Sequence, residues 1–336
     1  MNMKKTLIAA AAAAALCWGT ADVEAGSRTC ACGSASKCCA CKTEPGKCCK
    51  MTDNKAAEKT PEVTSGRLEF YPNFASKYIR PRNVTVWLPD GYQIGEKCDV
   101  LYMHDGQMLF DANVTWNRQE WKVDEVMGQL IKEGKIRRCI VVAADNTNDR
   151  LNEYFPDKTV KYVAESERRD VDTKRFHGDA YLKFLVEELK PFIDAHYKPL
   201  TSREHTFIMG SSMGGLISLY AMCEYPQVFG GAACLSTHLS MRDLSLGRGS
   251  ELWADAFRSY VEDKLPEIQG RLLYMDRGSL GLDGSYGPYQ DCLDEVFRRN
   301  NWNKQHYLSL VFPGHEHMET YWAQRLDQPL LFLLGK

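Results

Sequence analysis

The run Thr206-Phe207-Ile208-Met209-Gly210-Ser211-Ser212-Met213-Gly214-Gly215-Leu216 decides the fold of this 336-residue chain. Its apolar first half predicts a buried strand, and Leu216, Ile217, Leu219, Tyr220 and Met222 predict a helix directly after it. Between them lies a sharp turn with Ser212 at its apex. Gly210 and Gly214 flank that serine where a side chain would clash with the tight strand–helix crossing. Strand, turn and helix of this kind hold a serine in a strained backbone and push its hydroxyl outward, as a nucleophile requires.

The chain on either side alternates in the same rhythm. Val84-Thr85-Val86-Trp87-Leu88 and Val100-Leu101-Tyr102-Met103 read as strands, with Pro89-Asp90-Gly91 as a turn between them. Residues 121–131 have helical spacing, and Cys139-Ile140-Val141-Val142-Ala143 is a continuous apolar run suited to a buried parallel strand. A long polar stretch, residues 145–176, precedes a helix marked by Leu182, Leu185, Val186, Leu189 and Ile193, with Pro191 as a kink near its end. After the serine turn come a strand at Gly231-Ala232-Ala233-Cys234-Leu235, a helix over 253–261 and a strand at Leu272-Leu273-Tyr274-Met275. A helix over 292–297 and the strand Tyr307-Leu308-Ser309-Leu310-Val311-Phe312 follow. Strands and helices alternating at this pitch predict an α/β fold, a mostly parallel sheet with helices on both faces. Its ligand crevice then lies at the carboxyl ends of the strands, where Ser212 stands.

Three segments organise the chain. Lys4 and Lys5 ahead of the alanine-dominated residues 7–16, with Val23-Glu24-Ala25 as a cleavage site, predict a signal peptide over 1–25 and hence a secreted or periplasmic protein. No later stretch is long and apolar enough to span a bilayer. Residues 26–64 hold a cysteine-rich segment and a polar linker. Cys30, Cys32, Cys38, Cys39, Cys41, Cys48 and Cys49 crowd together with almost no large apolar residues, so this part cannot build a core. The spacings suit thiolates on a soft metal ion such as Zn or Cu(I), or disulfides in an oxidising compartment. Residues 65–336 then read as one globular domain. A net charge of −2, with both signs interspersed, offers no basic face for nucleic acid. The scattered Cys98, Cys139, Cys223, Cys234 and Cys292 read as buried small hydrophobes.

A serine hydroxyl needs an adjacent general base, itself oriented by a carboxylate. Behind such an elbow the chain order is serine, acid, histidine, each on a loop after a strand. The last strand runs into Pro313-Gly314-His315-Glu316-His317, which supplies two candidate bases. Asp276 directly follows the strand at 272–275, and Asp283 lies in a glycine-rich loop (Gly278, Gly281, Gly284) able to swing a carboxylate toward the histidines. Asp283 is the favoured acid; Asp276 can instead cap its turn. An oxyanion hole needs two backbone N–H groups. Met213, next to the serine, supplies one, and the loop Met103-His104-Asp105-Gly106-Gln107 supplies the other through Gln107, with Gly106 in reserve.

At these residues the chain resembles the esterase family that includes enterochelin esterases, esterase D and feruloyl and acetyl-xylan esterases, with the α/β-hydrolase fold. The matching stretches are Pro81-Arg82-Asn83-Val84-Thr85-Val86-Trp87-Leu88-Pro89, Tyr102-Met103-His104-Asp105-Gly106-Gln107-Met108-Leu109-Phe110-Asp111, Glu187-Glu188-Leu189-Lys190-Pro191-Phe192-Ile193-Asp194 and Gly210-Ser211-Ser212-Met213-Gly214-Gly215. A closing pattern of the form G-x-E-H-x-E-x-x-W-x-x-R falls on Gly314, Glu316, His317, Glu319, Trp322 and Arg325. That resemblance selects His317 as base, and the loop Leu280-Gly281-Leu282-Asp283 supports Asp283 as acid. It implies a cofactor-free serine esterase, with Ser212, Asp283 and His317 as catalytic triad. Export and resemblance together imply acetyl or feruloyl esters of carbohydrates, small or polysaccharide-borne, or siderophore-type esters. Residues 145–176 would wall the pocket, with Arg150 and Tyr154 as substrate-binding residues. Acyl transfer to a sugar or lipid alcohol would use the same triad. A metal-thiolate protein with a vestigial hydrolase domain is the non-enzyme alternative.

Overall fold

A computed structural model describes residues 60–247 and 249–336. The leader, the seven clustered cysteines and the linker as far as residue 59 lie outside the described residues.

Four apolar runs form the middle of one eight-stranded sheet, and every residue in them is buried: β3 (Asp99–His104), β4 (Cys139–Ala144), β5 (Thr206–Ser211) and β6 (Gly231–Leu235). With β1 (Arg67–Phe74), β2 (Arg82–Leu88), β7 (Leu272–Gly278) and β8 (Tyr307–Phe312), the order is β1-β2-β4-β3-β5-β6-β7-β8. From β4 to β8 all neighbours are parallel, while β2 runs antiparallel to β1 and β4. This is the mostly parallel sheet the alternation predicts. β1 is the strand the pattern does not reveal. Pro72 interrupts it, a bulge shifts its register between Tyr71 and Phe74, and none of its residues is fully buried, all traits of a sheet edge.

Both faces are covered. Val84, Val100, Tyr102 and Ile140 pack on the side that carries helix Met213–Glu224 and helix Ser250–Ile268. Trp87, Leu101, Met103 and Val141 pack on the side of helix Val123–Lys132 and helix Asp327–Leu334. Alternate residues of β3 thus feed two cores, as the period-two geometry of a strand requires. Met213–Glu224 is buried on every side, in keeping with its uniform apolarity. The helix predicted around Leu182 to Ile193 is broken into Gly178–Lys183, a widened π turn at Phe184–Leu189, and Lys190–Tyr197. The wide turn precedes Pro191, which has no N–H to donate and whose ring crowds the carbonyl one turn back.

Two features position the site. Between β3 and β5 the chain order reverses, since β3 continues to β4 on one side while β5 pairs on the other. The crevice at that switch point lies at the strands' carboxyl ends. There the loop after β3 and the turn after β5 face each other, following the pairing of Met103 with Met209. Of the scattered cysteines, Cys98, Cys139, Cys223 and Cys234 are buried, whereas Cys292 is exposed because it falls on the outer side of helix Gly287–Arg299. Among the described residues no helix is long and apolar enough to cross a membrane.

Candidate active site

Ser212 directly follows the buried strand β5 with φ 57° and ψ −123°, a combination few residues other than glycine adopt. The turn is held by Ser212 N–H donating to the Leu235 carbonyl at 3.0 Å and by His238 N–H donating to the Ser212 carbonyl at 3.2 Å. Gly210 is required where it stands, for a Cβ there would sit 2.7 Å from the Gly214 carbonyl carbon and 2.8 Å from His104 Cδ2.

Asp283 and His317 meet. His317 Nδ1 lies 2.6 Å from Asp283 Oδ1, at the ends of loops that follow β7 and β8. The second oxygen, Oδ2, accepts from Ser236 Oγ at 2.5 Å and from the Gly278 N–H at 2.7 Å. Burial works against ionisation of Asp283, but the interaction with His317, helped by Ser236 and the Gly278 N–H, outweighs it and holds the carboxyl below the usual range. An ionised carboxylate only accepts, so Nδ1 of His317 carries the proton. The imidazole is packed edge-to-face between Tyr286 and Trp322, with ring centroids 5.6 and 5.1 Å away.

Asp276 and His315 pair with Arg325 rather than with each other, and the same guanidinium lies 3.7 Å from Asp283 Oδ2. Asp276, fully buried, accepts from Arg325 Nη2 at 3.0 Å, Arg325 Nε at 3.1 Å and the Tyr274 hydroxyl at 2.8 Å. Burial pushes its carboxyl up, and the guanidinium opposes that. His315 Nδ1 faces Arg325 Nη1 at 3.2 Å; burial and that cation both lower its basicity. Arg325 also donates to Ser236 Oγ at 2.8 Å, as does Trp322 Nε1 at 2.9 Å. With two donors on its oxygen, Ser236 turns its own proton to Asp283. Arg325→Met would strand the buried Asp276 charge and is expected to lower stability by about 3–5 kcal/mol, read as a fall in the urea midpoint. A midpoint equal to wild type would show that the pair contributes no net stability.

Met213 opens helix Met213–Glu224, and Gln107 lies in the short turn Gly106–Met108. N–H groups at such positions have no partner within their own helix. Asp105, just before that turn, is left-handed at φ 56° and ψ 45°. Arg150, read from sequence as a substrate-binding cation, is instead turned onto this carboxylate: its Nε and Nη2 donate to the two oxygens at 2.7 Å each. Tyr154, read as a pocket wall, is fully buried against His104 and Tyr181, with ring centroids 5.2 and 5.0 Å apart. An aromatic ring that close to other rings, with no exposed edge, packs the fold rather than lining a pocket.

Ser236, Tyr286 and His238 have no sequence signal of their own. The Tyr286 hydroxyl lies 2.6 Å from His238 Nδ1. His238 Nε2 faces the Arg242 carbonyl at 2.9 Å, so that nitrogen is the protonated one. Burial keeps His238 neutral, at about 4. Glu319, from the closing pattern, accepts from Asn117 Nδ2 at 2.9 Å, and burial raises its carboxyl. Among the described residues no group of three or more His, Cys, Asp or Glu is placed to hold a metal.

The sheet order, helices on both faces and a strained serine at a strand–helix turn together define an α/β-hydrolase. The chain belongs to the Putative esterase family, whose model matches residues 76–333. Similar proteins include the siderophore enterobactin esterase of Emericella nidulans, 25% identical over 226 residues, or 63% of this chain and 67% of that one. YbbA of Bacillus subtilis is 24% identical over 157 residues, 46% of this chain. The matched part spans 56% of YbbA and 65% of YjcH, a second Bacillus subtilis relative. Among solved structures, a ferulic acid esterase superposes with a TM-score of 0.60 at 21% identity, covering 80% of this chain and 98% of that one. At that identity the likeness speaks to the fold.

Proposed function

We propose that the protein is an exported serine esterase that hydrolyses carboxylic esters through an acyl-enzyme. The observation that carries this reading is the 2.6 Å pair between His317 Nδ1 and Asp283 Oδ1, in a chain that also holds Ser212 in a strained elbow. With its proton on Nδ1, His317 keeps a lone pair on Nε2 for the Ser212 proton. Ser212 Oγ attacks the ester carbonyl as that proton moves to Nε2, and the carbonyl oxygen becomes an oxyanion at the N–H groups of Met213 and Gln107. Collapse expels the alcohol, which takes the proton from His317. Water then attacks the acyl-serine by the same route, releasing the acid and restoring Ser212. The scheme draws on no cofactor.

Acetyl or feruloyl esters of carbohydrates and siderophore-type esters are the substrate classes we favour. The names of the similar ferulic acid and enterobactin esterases support them. Export rests on Lys4, Lys5, residues 7–16 and the cleavage site at Val23-Glu24-Ala25.

The test is direct. p-Nitrophenyl acetate, methyl ferulate and acetylated xylan are offered to the full chain, and acid-quenched samples are mapped by peptide mass spectrometry. One acyl group on the peptide bearing Ser212 is the expected result, and the ester turned over fastest names the substrate class. Turnover with the acyl group elsewhere, or with none trapped under burst conditions, would count against the scheme. Adding sugar alcohols to the same assay separates hydrolysis from transfer.

A further inference from the structure

The loop that carries Gln107 is fastened by a charge pair the scheme above does not use. Asp105 receives both forks of Arg150 at 2.7 Å and a third donor, Asn146 Nδ2, at 2.6 Å. The Asn146 N–H reaches Gln107 Oε1 at 3.1 Å, and the Asp105 N–H reaches the Tyr154 hydroxyl at 3.4 Å. Residues 146–154, after β4, therefore grip residues 105–107, after β3, at several points. On its other side the Asp105 carboxylate lies against the elbow helix: a Cβ built on Gly214 would come within 3.4 Å of Oδ2. One carboxylate thus adjoins both backbone segments that would supply the oxyanion hole.

We propose that Asp105 and Arg150 are positioning residues for the oxyanion hole, acting through the backbone at Gln107 rather than by touching the substrate. This rests on the serine-esterase reading. Asp105 is left-handed without being glycine, and the bonds to its side chain help the loop keep that shape. A bidentate guanidinium fixes a carboxylate in angle as well as distance, which a lysine ammonium cannot do. The pair is nearly buried, with Asp105 and Arg150 each 8% exposed, so water offers little replacement. Burial opposes both charges, yet Arg150 holds the Asp105 carboxyl below its usual range. The geometry matters because an N–H donor displaced by about 1 Å can cost on the order of 10²-fold in rate.

Arg150→Ala, Arg150→Lys, Asp105→Asn and Ser212→Ala are compared on p-nitrophenyl acetate, together with inhibition by a trifluoromethyl ketone, which forms an oxyanion on the serine. Arg150→Ala is expected to lower kcat by about 10²-fold, the effect of losing one oxyanion donor. Its KM should stay within about threefold of wild type, and its ketone affinity should fall in step with kcat. Ethylguanidine in the buffer should restore part of the rate, and Arg150→Lys should not. Asp105→Asn keeps the side-chain shape and should show the same split if the alanine variant does not fold. A folded Arg150→Ala with normal kcat, or with kcat lost while ketone affinity is kept, overturns the proposal alone. Full activity in Ser212→Ala overturns the serine-esterase reading and this proposal with it.

Discussion

Ser212→Ala is expected to lower kcat/KM on every ester the protein accepts by ~10³-fold or more. The size follows from what one oxygen does in the proposed scheme. Without Oγ no acyl-enzyme forms, and His317 can only activate a water that the site does not orient. What remains is stabilisation of charge by the N–H groups of Met213 and Gln107, together with binding, which leaves residual catalysis well above background. The fold should survive, because the strain at Ser212 belongs to its backbone, and alanine meets the same φ of 57°. A matching circular dichroism spectrum with the rate abolished is the expected pairing. A variant that retains its rate would place the nucleophile elsewhere in the chain.

Asp283→Asn should be nearly as damaging, by about 10³–10⁴-fold in kcat, for a reason of proton placement. Oδ2 of Asp283 accepts from Ser236 and from the Gly278 N–H, so the oxygen of an asparagine would occupy that side. Its NH₂ would then face His317 Nδ1, replacing the acceptor now 2.6 Å away. A donor opposite Nδ1 draws the lone pair to that nitrogen and puts the proton on Nε2, toward Ser212. The base would then be absent while the shape of the site is kept. In the wild type, the depressed Asp283 carboxyl contributes stability that is complete above the ordinary carboxyl range, about 4. That contribution is lost as pH falls through the folded value, and Asp283→Asn should remove this part of the acid sensitivity. A near-normal kcat in the variant would show that another carboxylate orients the histidine.

The serine turn, the alternation around it and the covered parallel sheet are all legible in the sequence, because each rests on local chemistry. Glycines mark the crossing, apolar runs mark the strands, and 3.6-residue spacing marks the helices. β1 escapes that reading because an exposed edge strand interrupted by Pro72 has no periodicity to detect. The helix through Pro191 is anticipated as kinked, but the widened turn that absorbs the proline depends on its packing.

The arrangement at the site is another matter. Asp276, at the end of β7, and Asp283, just after it, are equally polar candidates, and His315 and His317 are two residues apart. Their partners arrive from far along the chain: Arg325 reaches back to Asp276, and Ser236 joins Asp283, Trp322 and Arg325. Arg150 looks like a free cation until Asp105, 45 residues earlier, is brought against it. Tyr154 looks like a pocket aromatic until His104 and Tyr181 close over it. The sequence by itself determined where a nucleophilic serine would stand and what kind of sheet would hold it, since those depend on neighbours in the chain. Only the tertiary structure decided which charges are spent on one another and which histidine meets which aspartate, since burial and hydrogen bonding depend on neighbours in space.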